Sequence, residues 1–330
     1  MRDDITDVPG IRVGHDTDLE AGTGCTVILC ETPAVGGVDV RGGAPATRET
    51  DVLQPLHMVE EVHAVVLTGG SAFGLDAASG VMRYLEEHEQ GYDTGVARVP
   101  IVPAAAIFDL AFGSASVRPD AAAGYRACQQ ATSEGTPQGN VGAGTGGTVG
   151  KMAGPAFMMK GGLGSASMQV NAEIVIGAIV AVNSAGDVID PTTQQMIAGA
   201  RNPLGGSIFA NPFASNASAG TINPVGNTTI AVVATNAALS KEEASKVAQM
   251  AHNGLAQTLR PAHTMFDGDT VFALALGARA NRQSNRDNAA LQTSMLGAAA
   301  ATVLARAIVK AVQHAEELHG IPAAGAEKSG

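Results

Sequence analysis

Residues 226–236 read Gly-Asn-Thr-Thr-Ile-Ala-Val-Val-Ala-Thr-Asn, and this stretch constrains the fold more than any other. Ile230 to Ala234 is a short apolar run rich in β-branched residues, the pattern of a buried strand. It is entered without a break from a polar turn at Gly226, which puts the hydroxyls of Thr228 and Thr229 at the mouth of the strand. A threonine hydroxyl is a weak nucleophile unless a base lies beside it. The base most directly at hand is the residue's own α-amine, once the preceding bond is cut. Asn227-Thr228 is therefore a candidate self-cleavage bond. The hydroxyl would attack the Asn227 carbonyl, the acyl group would pass from nitrogen to oxygen, and water would free a new N-terminus. Threonine is also common at the start of a strand, so the dipeptide alone leaves both readings open.

Elsewhere the chain alternates strands and helices. Cys25 to Cys30, Val62 to Thr68, one or two strands within Met168 to Val182, and Val271 to Leu276 read as strands by their apolar, β-branched composition. Helices are expected from about Ala72 to His88, Asp120 to Gln130, Ser240 to Leu259 and Ala289 to Leu318. Ser240 with Glu243 forms a capping box for the third. The glycine-studded region Val35 to Asp51 reads as a surface loop or a pocket wall. The run Ile197 to Gly226, rich in Gly, Asn, Ser, Ala and Pro, reads as a loose connection before the proposed scissile bond. The residues after the last helix read as a disordered tail.

Several local motifs compete for function. Ser71 follows a strand and a tight Gly69-Gly70 turn and precedes a helix, as the nucleophile of an α/β-hydrolase elbow does. The required Gly-x-Ser-x-Gly spacing fails by one residue, because Ala72 and Phe73 separate Ser71 from Gly74. Gly142 to Gly147 satisfies the dinucleotide pattern formally but lacks the strand before it and the helix after it. Gly150-Lys151 is followed by Met152, where a P-loop needs Ser or Thr. None of the eight histidines stands at metal-ligand spacing from another ligand, which argues against a catalytic zinc. No cofactor is expected.

Asp267-Gly268-Asp269 is more promising. If the strand beginning at Val271 pairs beside Ile230 to Ala234, both carboxylates arrive near Thr228, where they can orient a new amine and shift its pKa. A plain turn has the same sequence, although the full calcium-loop pattern is missing.

Composition narrows the class. With 330 residues and 45% hydrophobic content the chain can bury a sizeable core. A net charge of -11, with no Lys/Arg cluster and 3% aromatic residues, excludes a nucleic-acid partner. No uninterrupted apolar run is expected to cross a membrane. The charged start Met1-Arg2-Asp3-Asp4 lacks a secretory pattern, and three cysteines without a CxxC pair fit reduced thiols in a cytoplasmic protein.

Four segments in order carry a resemblance: Val8 to His15, Thr68 to Leu75, Gly226 to Thr229, and His263 to Thr270. Together they resemble the self-cleaving N-terminal-nucleophile peptidases that include the D-aminopeptidase/esterase, the β-aminopeptidases and the nylon-oligomer hydrolases. The nylon-oligomer branch, which cleaves at Asn-Thr and carries a downstream Asp-Gly-Asp, is the most similar. The resemblance implies a four-layer α/β/β/α sandwich, one domain cut into an α chain (1–227) and a β chain (228–330), and assembly as a homotetramer. It implies Thr228 as nucleophile, Asp267 and Asp269 as catalytic acids, Lys151 as an active-site lysine and Asn183 as oxyanion donor. Phe108 departs from the pattern, since the family usually has a tyrosine there whose hydroxyl helps at the oxyanion. Ser71 is expected in the substrate pocket with Phe108, and His263, near the Asp pair, is expected either to line that pocket or, as most histidines so placed, to be structural. The implied activity is hydrolysis of small peptides, β-amino or D-residue amides, or linear ω-amino-acid oligomers. A Ser71 esterase and a glycine-loop ligand-binding protein are the alternatives.

Overall fold

The computed structural model describes residues 1–201, 226–278 and 285–324. Most of the expected connection before Gly226, and the tail beyond Ala324, lie outside the described residues.

Eight strands build the framework: β1 (Ile11–Asp18), β2 (Thr23–Val40), β3 (Glu61–Thr68), β4 (Ala104–Ala106), β5 (Gly162–Gln169), β6 (Val175–Asn183), β7 (Thr228–Thr235) and β8 (Thr270–Ala275). Four helices cover them: α1 (Ala77–Glu87), α2 (Ala121–Gln129), α3 (Lys241–Thr258) and α4 (Arg286–Gln313). The strands hydrogen-bond in the order β5-β6-β7-β8-β2-β3-β4, with Thr47–Arg48 on the far edge and β1 paired to β2.

Side-chain alternation shows how this single hydrogen-bonded sheet makes two layers. Ile179, Ile230, Val232 and Phe272 from β6 to β8 share one core with Ile28, Val65 and Leu67 from β2 and β3. The opposite faces diverge. Val180, Ala231, Val233 and Ala273 pack under α3 and α4, whereas Val27, Ala64 and Val66 pack under α1 and α2. Successive residues of a strand point to opposite faces, so the central strands β3, β6, β7 and β8 are buried on both, and the layers run helix, strand, strand, helix. The expected four-layer sandwich is therefore present, with its two sheets joined through β2. This strand pairs β1 and β3 through its first half and β8 through Val35–Val40, and its register against β3 shifts between Leu29 and Ala34. Such irregularities add local twist.

Three expectations are corrected in detail. Val35–Val40 continues a strand where a glycine loop is expected. Glycine is required there for contact, since a Cβ on Gly37 would lie 2.4 Å from the backbone nitrogen of Ser245 in α3. The helix expected from Ala72 to His88 is a single turn, Ser71–Gly74, followed by α1. The last helix starts at Arg286, capped by Asn285, and ends at Gln313. By length and composition this helix could cross a bilayer, although Arg306 and Lys310 interrupt it, and 67% of its apolar window is buried inside the fold. It packs on β5 and β6, which is the setting of a core helix.

All three cysteines are free and buried, and burial pushes the Cys30 and Cys128 thiols up to about 12. Small residues let α4 approach the sheet: a Cβ on Gly164 of β5 would lie 2.0 Å from the Ala307 carbonyl. The Gly164→Val variant should lose about 1–3 kcal/mol of stability, because overpacking must push the helix away. Denaturant unfolding of the two proteins measures the difference.

Candidate active site

Thr228 opens β7, where it faces Asn183 across the antiparallel pairing with β6. On its other side β7 runs parallel to β8, with Ile230 opposite Thr270, and the pairing extends to a bridge between Asn227 and Asp267. This register brings Asp267-Gly268-Asp269 against the start of β7, as the sequence predicts. The close approach needs a glycine, since a Cβ on Gly268 would stand 2.8 Å from Thr228 Oγ1.

The Thr228 hydroxyl donates to the carbonyl of Asn227, the residue before it. That carbonyl oxygen also accepts the Gly268 N–H at 3.1 Å. Thr228 and Asn227 are both buried. One residue upstream, the Gly226 carbonyl accepts Lys151 Nζ at 2.7 Å and Asn183 Nδ2 at 2.9 Å. Lys151 donates further to Asn183 Oδ1 at 2.8 Å and to the Asn183 carbonyl at 3.0 Å. Asn183 Nδ2 reaches the Phe108 carbonyl at 3.0 Å, and its Oδ1 accepts the Thr148 N–H at 3.1 Å. Lys151 and Asn183, 32 residues apart in sequence, thus grip the same peptide next to Asn227.

The two aspartates hold different partners. Asp269 Oδ1 accepts the Thr229 N–H at 2.7 Å, while its Oδ2 accepts the backbone N–H of His263 at 2.9 Å and lies 2.8 Å from His263 Nδ1. Asp267 Oδ2 accepts the N–H and hydroxyl of Thr264 at 2.8 and 2.6 Å. Burial and the neighbouring Asp269 raise the Asp267 pKa above the usual carboxylate range, against the opposing pull of Thr264 and Lys151. Burial drives Lys151 down to about 7, with Asp267 drawing it back up. An ammonium and a carboxyl shifted toward neutrality within one cluster are a common mark of a functional site.

Two cavities flank this cluster. The larger, about 290 Å³, is lined by Thr228, Asn227, Phe108, Ser71 and Phe266 among others. The smaller, about 90 Å³, has Lys151, Thr148, Asp109, Phe112 and Met158 in its wall. Phe108 and Gly226 border both, and a Cβ on Gly226 would come within 2.9 Å of the Phe108 ring. Phe108 contributes its ring to the wall and its carbonyl to Asn183, so the missing tyrosine hydroxyl leaves a backbone contact in place.

Thr228, Asn227, Asp267, Asp269, Lys151 and Asn183 therefore converge. Ser71 lines the larger cavity with a left-handed φ of 55°, but no histidine or carboxylate among the described residues hydrogen-bonds its hydroxyl. His263 faces Asp269 and is not among the residues lining either cavity. Gly142–Gly144 forms a 3-10 turn followed by the short strand Thr148–Val149, so the dinucleotide pattern lacks its helix. No group of three or more metal-ligating side chains occurs among the described residues.

Sequence reasoning overlooked a second buried polar group beside the smaller cavity. Lys160 is fully buried, donates to the Thr145 and Gly147 carbonyls at 2.7 and 2.8 Å, and sits 4.3 Å from the Phe112 ring centroid. Asp109 accepts the Thr23 hydroxyl and the Gly70 N–H, each at 2.7 Å. A lone lysine in an apolar stretch gives no sign of such burial.

The profile of peptidase family S58 matches residues 3–324. The chain belongs to this family. An uncharacterized aminopeptidase of Mycobacterium tuberculosis (strain H37Rv) is 45% identical over 341 residues, with 96% of each chain covered. A 6-aminohexanoate-oligomer endohydrolase of Kocuria sp. (strain KY2) is 30% identical over 320 residues, covering 93% of this chain and 85% of that one. Among solved structures, a Burkholderia sp. beta-aminopeptidase matches with a TM-score of 0.71 at 22% identity, over 97% of this chain and 89% of its own. The L-aminopeptidase D-Ala-esterase/amidase of Ochrobactrum anthropi, described as a new variant among the Ntn hydrolase fold, gives 0.71 at 21% identity over 97% and 88%. The S58 chain described here accordingly has an Ntn-hydrolase type of fold and is a hydrolase of amide bonds.

Buried Lys160 gives the fold a definite pH response. Its pKa falls from the ordinary lysine value of 10.5 to about 7 in the folded chain, mainly through burial. Between those values the unfolded chain holds the extra proton, so this group's penalty is full below about pH 7 and disappears above about pH 10.5. Relative to Lys160→Met, the wild-type protein should gain up to about 1.4 kcal/mol of stability per pH unit across that window. Denaturant unfolding at several pH values reads the slope.

Proposed function

We propose that this chain is a self-processing amide hydrolase whose nucleophile is the N-terminal threonine released by cleavage between Asn227 and Thr228. The observation that carries this reading is the Thr228 hydroxyl lying against the Asn227 carbonyl at the floor of the larger cavity. In the cleavage step Oγ1 bonds to the Asn227 carbonyl carbon, with the Gly268 N–H supporting the charge that develops on oxygen. The carbon–nitrogen bond then breaks, the hydroxyl proton passes to the departing nitrogen, and water hydrolyses the resulting ester. The products are an Asn227 carboxylate and a free Thr228 amine.

In the cut enzyme this amine serves as base for its own hydroxyl. Asn183 Nδ2, no longer held by the Gly226 carbonyl, supplies the oxyanion donor. Lys151 supports the cluster, Asp267 tunes the amine, and Asp269 holds the peptide that follows Thr228. An acyl-enzyme forms on Oγ1 and water resolves it, with the amine acting as base again. The side chains lining the larger cavity are uncharged, among them Phe108, Phe266 and Ser71, and the free amine of Thr228 would be the charged group that cleavage adds there. Small peptides, β-amino or D-residue amides and linear ω-amino-acid oligomers are the candidate substrates, and the aminopeptidase and oligomer-hydrolase relatives support the first and last of these.

Denaturing mass spectrometry of the purified wild-type protein should show two fragments, 1–227 and 228–330. Thr228→Ala should remain one chain and hydrolyse nothing from a panel of amino-acid p-nitroanilides and 6-aminohexanoate oligomers, whereas Thr228→Ser should both cut and turn over. An intact wild-type chain that turns substrate over would refute the proposal, and loss of activity in Ser71→Ala would favour the esterase alternative. Asn183→Ala should lower kcat by about 10²–10³-fold, the usual cost of an oxyanion donor, when assayed on chain that has already cut.

A further inference from the structure

His263 lies outside both cavities, yet everything around it is arranged to hold one carboxylate. Its backbone N–H and its ring Nδ1 meet the same oxygen, Asp269 Oδ2, at 2.9 and 2.8 Å. It does so with a left-handed φ of 58°, a conformation that is unfavourable for most side chains and that collects at functional sites. Asp269 is buried, and its other oxygen takes the Thr229 N–H. That N–H belongs to the peptide joining Thr228 to Thr229, so the carboxylate fixes the plane attached directly to the nucleophile's Cα.

The ring is braced in turn. His252, buried in α3, meets it edge to face with centroids 4.8 Å apart. The Nε2 of His252 bonds the Asp39 carbonyl at 3.0 Å, which sets its own orientation. Burial depresses the His252 pKa to about 4, so it stays neutral and places no charge against the His263 ring. The backbone of Asp269 is clamped as well, its carbonyl accepting the N–H groups of Arg41 and Gly42. Two backbone N–H groups already hold one carboxylate oxygen each, Thr229 on Oδ1 and His263 on Oδ2, and the His263 ring adds a side-chain donor to Oδ2 that resists rotation of the carboxylate away from the Thr229 N–H.

Resting on the nucleophile assigned above, we propose that His263 is a positioning residue for Thr228, acting through Asp269 and the Thr229 N–H. The role needs a donor at the Nδ1 position and a residue that tolerates left-handed backbone. Asparagine meets both demands, because its Nδ2 falls near the place of Nδ1 and it adopts positive φ readily. Glycine meets only the second. Misplacement of a reacting group by about 1 Å can cost 10²-fold in rate.

The test follows the rate of chain cutting by mass spectrometry, then kcat and KM on the cut fraction, for wild type, His263→Gly and His263→Asn. His263→Gly should slow cutting and lower kcat by about tenfold to a hundredfold with KM little changed, and His263→Asn should stay within about threefold of wild type on the same reasoning. Should the glycine variant not fold, His263→Asp replaces it: aspartate keeps the shape but sets an acceptor against Asp269, so it should be slow where asparagine is not. Equal rates for asparagine and its donor-less comparator, in chains that do cut, overturn this role alone. An uncut wild-type chain overturns both this role and the nucleophile assignment.

Discussion

The parallel pairing of β7 with β8 is the constraint on which the site depends. Ile230 stands opposite Thr270, and this register decides that Asp269 reaches the Thr229 N–H and that Gly268 lies on the Thr228 hydroxyl. A slip of one residue would turn every side chain of β7 to the other face. Such a slip is opposed on both sides, because Ile230 and Val232 fill the core between the strand layers while Ala231 and Val233 fill the core under the helices. The hydrophobic pattern thus excludes a one-residue slip, and the contacts of Thr229 with Asp269 and of Asn227 with Gly268 select the register among those that remain.

Polar groups complete what the apolar pattern begins. Thr228 sits at the edge of a strand that carries hardly any exposed surface, so each donor and acceptor near it must find a partner inside the protein. Asn183 does most of this, joining Thr148, Lys151, Phe108 and Gly226 through one amide. Lys151 is held by three oxygens with no carboxylate in direct contact among the described residues. A buried ammonium so placed loses its proton easily, and its depressed pKa follows from that setting.

Much of this was legible in the sequence, and the reasons differ from one element to another. β7, β8 and α3 announce themselves through a β-branched run, a second such run and a capping box, all local signals. The convergence of Asp267 and Asp269 on Thr228 was readable because a short parallel crossover leaves few other arrangements. Val35–Val40 was misread, since glycine in a strand weakens local propensity and the contact that requires it, with Ser245, lies more than 200 residues away in the chain. Lys160 and Asp109 were invisible for a related reason: their burial is a property of the fold's assembly, and no spacing encodes it. The role of His263 hinges on a backbone φ that a sequence does not display.

The Gly226 carbonyl links folding to the proposed chemistry. It accepts from Lys151 and Asn183 together, completing the hydrogen bonds of two donors that are also held by the Asn183 and Phe108 oxygens. An unpaired buried donor costs about 1–3 kcal/mol, and more when charged. The Gly226 carbonyl adds a third acceptor for Lys151 and a second for Asn183 Nδ2. If the bond after Asn227 is cut and this peptide withdraws, the same two donors remain fixed by Thr148, Phe108 and the sheet, now facing the cavity that the peptide had bordered. A site prepared in this way meets a substrate carbonyl with its reorganisation already complete, which is the condition under which electrostatic stabilisation of a transition state is strongest.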